Sequence, residues 1–294
     1  PMGRAKEDIS KTVCKYLLLD QQLAEYPERG KDGSVNKTIF CLGRVISYLG
    51  SILGTELALI GASEEDPFSH SIYRVITGSG EVKDSQARML EGMIVASVDH
   101  GVTPPSAQAT IIAASTRASY EVAVAQGVGA ITDVHGGAGA KAATFFRECL
   151  SRAEREGISL HEATRALMTD YVKRGRPIEG MGHRIHTEDP RRDALWRLAE
   201  YCGVAGRCVE ISKLATKVFE EVRGINLPIN VDGVIGAIVA DMGLNPSIAK
   251  AIFIYGRIAG LSAHYFEEVS SQPEMRRINF SEAVYKGKEL RRFP

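Results

Sequence analysis

Apolar residues recur every three to four positions along most of this 294-residue chain, and residues that cap helices stand ahead of several of these runs. Ser159 and Glu162 form an S-x-x-E capping box before one apolar run. Two further places put a capping side chain before a proline at the first helical position, Asp189-Pro190 and Asn245-Pro246. Alternating strand patterns are scarce and no βαβ rhythm appears, so the sequence predicts an all-α fold.

Charge and cysteine usage narrow the class of protein. The 36 acidic and 36 basic residues cancel, which removes the positive field that nonspecific binding to nucleic acid or to an anionic membrane needs. The five cysteines include no C-x-x-C pair, so neither a disulfide framework nor a thiolate zinc site is indicated. The most apolar stretch, 38–62, carries two charges and four glycines and is interpreted as buried helix, and the N-terminus has no apolar signal core. We therefore predict a cytoplasmic globular protein with no nucleic-acid or membrane partner.

Glycine and proline cluster in four loops, at 99–105, 134–139, 176–190 and 225–233, and each loop carries titratable residues. Loops between packed helices usually display the chemistry of a helical scaffold. Glycines flank three histidines here, and glycine lets a substrate approach imidazole and backbone closely: His100, His135 and His183. Taken singly, each histidine is more often structural than catalytic. For Asp232, at the start of an apolar run, the simpler interpretation is a helix cap.

Other kinds of site fit the sequence less well. His183-x-x-His186 with Asp189 nearby offers possible metal ligands, but no H-E-x-x-H motif is present and the arginines that follow bring cations where a metal needs anions. There is no G-x-S-x-G elbow for a serine nucleophile and no phosphate-binding loop for ATP. We therefore expect no metal and no bound cofactor.

Five motifs, in this order, resemble those of the citrate synthase superfamily, which includes citryl-CoA lyases and the C-terminal module of ATP-citrate lyase. The resemblance covers about 68–293, and the motifs are Asp99-His100-Gly101, His135-Gly136-Gly137-Ala138, Gly180-Met181-Gly182-His183-Arg184 with Asp189-Pro190-Arg191, Asn230-Val231-Asp232-Gly233, and Gly256-Arg257 through Ala263-His264. It implies an all-helical homodimer. In each subunit a large domain (1–135 and 238–294) and a small, CoA-side domain (136–237) close over the substrate.

The resemblance also implies the reaction, which makes or breaks a carbon–carbon bond alpha to a CoA thioester. In cleavage, His183 takes the hydroxyl proton, His135 donates a hydrogen bond to the enolate oxygen, and Asp232 delivers a proton to the terminal carbon. Residues assigned by motif to the substrate carboxylates are His100, Arg191, Arg257, His264, Arg276 and Arg277, and the last two are expected to act across the dimer interface. The CoA side of the substrate is assigned to the loop residues Gly180, Met181, Gly182 and Arg184. For each arginine, a solvated surface position is the simpler interpretation.

Three motifs favour a lyase over a synthase. The loop at Asp99-His100-Gly101 resembles the D-H-G of lyases more than the H-E-G-G-N of synthases. Residues 230–236 resemble ATP-citrate lyase, and Met275-Arg276-Arg277-Ile278 resembles short citryl-CoA lyases. His135, in contrast, is a feature shared with synthases, because the ATP-citrate lyase module lacks a histidine at this position.

We predict a lyase that cleaves (3S)-citryl-CoA into acetyl-CoA and oxaloacetate, with citryl-CoA supplied by a separate citryl-CoA synthetase. The alternatives are a citrate or 2-methylcitrate synthase, a lyase for a related acyl-CoA such as citramalyl-CoA, and a catalytically silent CoA- or carboxylate-binding subunit. Residues 1–67 carry no motif that we assign.

Overall fold

The computed structural model describes residues 67–78, 81–182 and 189–277, with positions 284 and 287. Within these ranges the chain forms ten α-helices and no strand, which confirms the all-α prediction. The helices are α1 (Phe68–Thr77), α2 (Asp84–Ser97), α3 (Pro105–Ser115), α4 (Tyr120–Gly129), α5 (Ala138–Glu156), α6 (Leu160–Lys173), α7 (Pro190–Tyr201), α8 (Arg207–Arg223), α9 (Val231–Asp241) and α10 (Ile248–Ser271). The predictions for 38–62, His183, Arg184 and His186 lie outside the described residues.

Two of the three predicted helix starts are confirmed. Ser159 Oγ accepts a hydrogen bond from Glu162 N, and the Glu162 carboxylate accepts one from Ser159 N, which completes the capping box of α6. Asp189 caps α7 ahead of Pro190. The third predicted start, with Pro246 as the first residue of α10, was two residues too early. Asn245 Oδ1 accepts from Ser247 N at 3.0 Å, so Asn245 starts a turn and α10 begins only at Ile248.

Helix α9 lies at the centre of the core. Val231 and every residue from Gly233 to Ala240 are buried, and α5, α7, α8 and α10 pack around the helix. A helix that is apolar on all sides is stable only where neighbours surround it. Any side chain in the first turn of α9 is therefore held among packed helices, and Asp232 lies in that turn.

The long helix α10 crosses the end of α2 at very short range. A Cβ added at Gly260 would lie 2.0 Å from the carbonyl oxygen of Val98, so only glycine fits there. This approach brings two buried polar residues of α10, Arg257 and His264, against the segment 97–99.

The division into a large and a small domain stays a prediction. Its first boundary falls between His135 and Gly136, in the loop that leads into α5. Among the described helices, none is both long and apolar enough to cross a bilayer.

Candidate active site

A buried serine connects two of the predicted site residues. Ser106, in the first turn of α3, has its Oγ 2.8 Å from His135 Nε2 and accepts a hydrogen bond from Arg257 Nη1 at 3.3 Å. The ring of Phe253 packs edge-on against the imidazole at a centroid distance of 6.0 Å, and the guanidinium carbon lies 4.7 Å from the centre of the same ring. His135 and Arg257, 122 positions apart in the chain, therefore belong to one cluster.

Arg257 is the largest fully buried side chain in the described part of the chain, with 1% of its surface exposed. Its Nε donates to the carbonyl oxygen of Ser97 at 3.1 Å. Burial lowers the pKa of Arg257, and the negative charges of Asp99 and Asp232 oppose that effect. Because an arginine stays protonated in proteins, the site keeps an interior positive charge.

Asp232 points from the first turn of α9 and does not cap that helix. Asn230 is the N-cap residue, since its Oδ1 accepts from Gly233 N at 3.1 Å, and the capping interpretation of Asp232 is therefore wrong. Burial raises the pKa of the Asp232 carboxyl to about 6, although the positive charges of Arg191 and Arg257 oppose the rise. At pH 7 roughly a tenth of such a carboxyl is protonated, so it can both give and take a proton near neutrality.

The loop that carries His135 meets the helix turn that carries Asp232. The Cβ position of Gly139, at the start of α5, lies 3.2 Å from the backbone oxygen of Asp232. The first turns of α5 and α9 are thus in direct contact, with His135 three residues before one and Asp232 within the other. The structure brings these two predicted catalytic residues into the same region.

The glycine loop at 180–182 is bonded to the turn before Asp232. Asn230 N donates to the Gly180 carbonyl oxygen at 2.9 Å, and Asn230 Nδ2 donates to the Gly182 carbonyl oxygen at 2.8 Å. Gly180 has a φ of +81°, and a Cβ there would lie 2.5 Å from Gly233 Cα, which explains the need for glycine. Gly180, Met181 and Gly182 therefore adjoin the residues around Asp232. His183 and Arg184 follow them outside the described residues.

Arg191 is held by the buried carboxylate of Asp189. Its Nε and Nη2 donate to the two carboxylate oxygens at 2.9 and 2.8 Å, and Asp189 also accepts from Val231 N at 3.1 Å. This bidentate pairing orients one edge of the guanidinium and links α7 to the start of α9. The sequence indicated Asp189 as a helix cap, but not as the partner of Arg191.

His264 is paired with an acidic residue that the sequence reasoning did not assign. Its Nε2 lies 2.8 Å from Asp99 Oδ1, and Asp99 Oδ2 accepts from Gly101 N at 3.0 Å. Burial raises the pKa of Asp99, but the hydrogen bonds from Gly101 and His264 outweigh it and leave that pKa below its usual value. The contacts of His264 thus stabilise the turn that contains His100, which is itself half-buried.

Arg276 is bonded to a buried glutamate rather than to His135 or Asp232. Its Nε and Nη2 donate to Glu268 at 3.1 and 2.6 Å, and Glu268 is 2% exposed. Glu268 lies one turn beyond His264 on α10. Arg277 is exposed. The structure does not bring these two arginines into the cluster around Asp232, and their action across a dimer interface stays a prediction.

Sequence reasoning missed Ser106, and no local signal marks it. Its two partners are 29 and 151 positions away, and the three meet only because α10 and the loop before α5 both pack against the start of α3. Metal binding finds no support in the described ranges, where no three His, Cys, Asp or Glu side chains are grouped to hold an ion. The cluster offers a carboxyl that titrates near neutrality, an imidazole, and two cations.

Comparison with known proteins identifies relatives of two kinds. The family model for the citrate synthase C-terminal domain matches residues 19–278. Among solved structures, citryl-CoA lyase from Hydrogenobacter thermophilus superposes with a TM-score of 0.67 at 33% sequence identity, over 81% of this chain and 90% of that one. ATP citrate lyase from Methanothrix soehngenii, in complex with citrate and coenzyme A, superposes with a TM-score of 0.63 at 22% identity, over 75% of this chain and 37% of that one. At that identity the second likeness supports the fold alone.

Curated sequences include a putative citrate synthase 2 from Mycobacterium tuberculosis, which is 29% identical over 195 residues, or 64% of this chain and 49% of that protein. The chain spans about half the length of these first relatives. Both the family match and the likeness to the Hydrogenobacter lyase cover most of this chain, in agreement with the motifs. The chain belongs to the citrate synthase family.

Proposed function

We propose that this protein is a citryl-CoA lyase, which cleaves (3S)-citryl-CoA into acetyl-CoA and oxaloacetate. The observation that carries the proposal is the likeness to the Hydrogenobacter citryl-CoA lyase, because it extends over nine-tenths of that protein at 33% identity. The described site supports the reaction class independently, since it holds a carboxyl with a pKa of about 6 beside two arginines.

The proposed cleavage needs two proton transfers that balance. A base removes the proton of the C3 hydroxyl, the new C=O bond completes oxaloacetate, and the C2–C3 electron pair moves into the thioester to form an enolate. His183 is the proposed base. His135 donates a hydrogen bond to the enolate oxygen, and protonated Asp232 delivers its proton to the enolate carbon, which gives acetyl-CoA.

The pKa of Asp232 suits this role. A carboxylic acid with an ordinary pKa is almost entirely ionised at pH 7 and has little acid form to offer. Burial among α9 and its neighbours raises the population of the acid form. The ionised form is then suited to the reverse reaction, in which it removes a proton from the methyl group of acetyl-CoA.

The cations are proposed to bind the carboxylates of the oxaloacetate half. Arg257 supplies a buried charge, and Arg191 presents the edge of its guanidinium that Asp189 does not occupy. His100 and the loop at 180–182 are proposed to complete the carboxylate and CoA contacts. The protein is further proposed to act as a homodimer, with no metal or cofactor and with citryl-CoA from a separate synthetase.

Cleavage of citryl-CoA by the purified protein tests the proposal. Oxaloacetate release is followed with malate dehydrogenase and NADH, without ATP and with EDTA present. We expect turnover under these conditions, and Asp232→Asn as the matched control should abolish it. A requirement for ATP or for a divalent ion would refute this version.

A citrate synthase is the second candidate, because the curated relatives include proteins of that name and His135 is kept as in a synthase. Acetyl-CoA and oxaloacetate, supplied together, then yield citrate and free CoA, which a thiol reagent detects. A comparison of citryl-CoA with citramalyl-CoA decides the acyl group, since the second lacks one carboxylate. Thermal stabilisation by these ligands without any turnover would instead indicate a silent binding subunit.

A further inference from the structure

Both ring nitrogens of the buried His264 face carboxylates of the protein itself. Nε2 lies 2.8 Å from Asp99 Oδ1, and Nδ1 lies 3.9 Å from Glu267 Oε2. A substrate carboxylate brought to this ring would meet two groups of its own charge. His264 is therefore poorly suited to direct contact with the substrate, although the motif assigns it there.

The carboxylate of Asp99 connects this ring to the turn that carries His100. An ionised carboxylate only accepts hydrogen bonds, so His264 Nε2 carries the proton of the pair. The other oxygen, Oδ2, accepts from Gly101 N at 3.0 Å, and the backbone N–H of His100 also bonds to this carboxylate. One carboxylate thus holds the backbone of two successive residues, and its own position depends on the bond from His264.

Helix α10 contacts the segment ahead of this turn at three successive residues. The contacts are Arg257 Nε to the Ser97 carbonyl oxygen at 3.1 Å, Gly260 against the Val98 carbonyl oxygen, and His264 against Asp99. The three residues of α10 are spaced by three and four positions and therefore lie on one face of the helix. The same face thus carries the buried cation of the site and holds the turn of His100.

We propose that His264 is a positioning residue, which acts through Asp99 to hold the turn of His100 in register with Arg257. His100 and Arg257 then meet the carboxylates of the oxaloacetate half as one preformed unit, which lowers the cost of ordering them on binding. This consequence for the substrate rests on the proposed function, whereas the fixed turn itself does not.

Titration calorimetry with oxaloacetate tests the consequence for binding. His264→Leu removes the donor to Asp99 and should raise the Kd for oxaloacetate about 10- to 100-fold, while the Kd for CoA should stay unchanged. His264→Gln places an amide donor near the position of Nε2 and should restore most of the affinity. The matched control is His161→Leu, which removes a ring 3.1 Å from Glu221 Oε1 between α6 and α8 and should change neither Kd.

Hydrogen exchange over residues 98–103, followed by mass spectrometry, tests the turn without any ligand. The N–H groups of His100 and Gly101 should exchange several-fold faster in His264→Leu than in wild type or His161→Leu, because their acceptor is no longer held. Kinetics of citryl-CoA cleavage add a third readout. His264→Leu should raise KM with little change in kcat, since it weakens carboxylate binding and leaves the proton transfers in place.

An unchanged Kd for oxaloacetate in His264→Leu would overturn the inference, and so would unchanged exchange over 98–103. If oxaloacetate does not bind the wild type, the proposed function fails, and hydrogen exchange judges the fixed turn separately. If His264→Leu does not fold, Asp99→Asn takes its place. An amide has one acceptor oxygen and loses the bond from either His264 or Gly101, so the same two changes are expected and their absence would refute the role.

Discussion

Replacement of Asp232 by Asn changes stability in a way that depends on pH. In the folded protein, burial raises the pKa of this carboxyl from 3.8 to about 6. Folding therefore disfavours the ionised form, and the cost to stability appears as pH rises above 3.8 and is complete above 6. Asn has nearly the same shape and no charge, so it removes that cost without leaving a cavity.

The size of the effect follows from the two pKa values. The difference corresponds to about 3 kcal/mol of unfolding free energy at pH 7 and above. Near pH 4 the wild-type carboxyl is protonated in the folded state and only about half ionised in the unfolded state, so the difference nearly vanishes. Asp232→Asn is therefore expected to be more stable than wild type at pH 8 and about equally stable near pH 4.

Urea unfolding of both proteins from pH 4 to pH 8, at one protein concentration, measures this dependence. Asp133→Asn is the matched control, because nearby Lys250 lowers the pKa of the exposed Asp133 carboxyl, and its small effect should have the opposite sign. Citryl-CoA cleavage by Asp232→Asn should fall by several orders of magnitude, with substrate binding nearly kept. A stability difference that is the same at pH 4 and pH 8 would refute the burial argument, and near wild-type turnover would refute the catalytic role.

Two further substitutions test the packing around the site. Gly260→Ala places a methyl group 2.0 Å from the Val98 carbonyl oxygen and should strongly destabilise or unfold the protein. Gly129→Ala is the control, because a methyl group there meets nothing within 4 Å and should cost no stability. Thermal melts compare the two variants, and equal melting temperatures would contradict the close approach. Arg276→Gln leaves the buried Glu268 without its ion pair and should lower the unfolding free energy by about 1–3 kcal/mol in urea titrations. An unchanged midpoint would show that this pair contributes nothing.

Local features of the fold were predictable because their partners are close in sequence. The Ser159–Glu162 capping box needs only three residues and formed as predicted. The start of α10 was misplaced because Asn245 bonds to Ser247 in a turn of its own before the helix begins. A capping pattern does not show whether the two residues after Asn245 join the helix or form a separate turn before it.

The sequence predicted those site residues that belong to recognisable motifs. His135 and Asp232 came from separate motifs, and the first turn of α5, which His135 precedes by three residues, contacts the turn of α9 that contains Asp232. His264 was assigned to the substrate, but the structure pairs it with Asp99, 165 positions away. Arg276 was likewise assigned to a carboxylate of the substrate; within the chain it pairs with Glu268, and its action on the substrate stays a prediction.

The amino-acid sequence alone determined the helical class, the family and the order of the loops that carry the chemistry, because helix periodicity, caps and motifs are all short-range patterns. The charge state of Asp232, the bridge made by Ser106 and the partner of His264 depended on how the helices pack. Packing sets both the distance between groups remote in the chain and the loss of water around them. Hydrogen bonding and ionisation of buried groups respond to those two quantities.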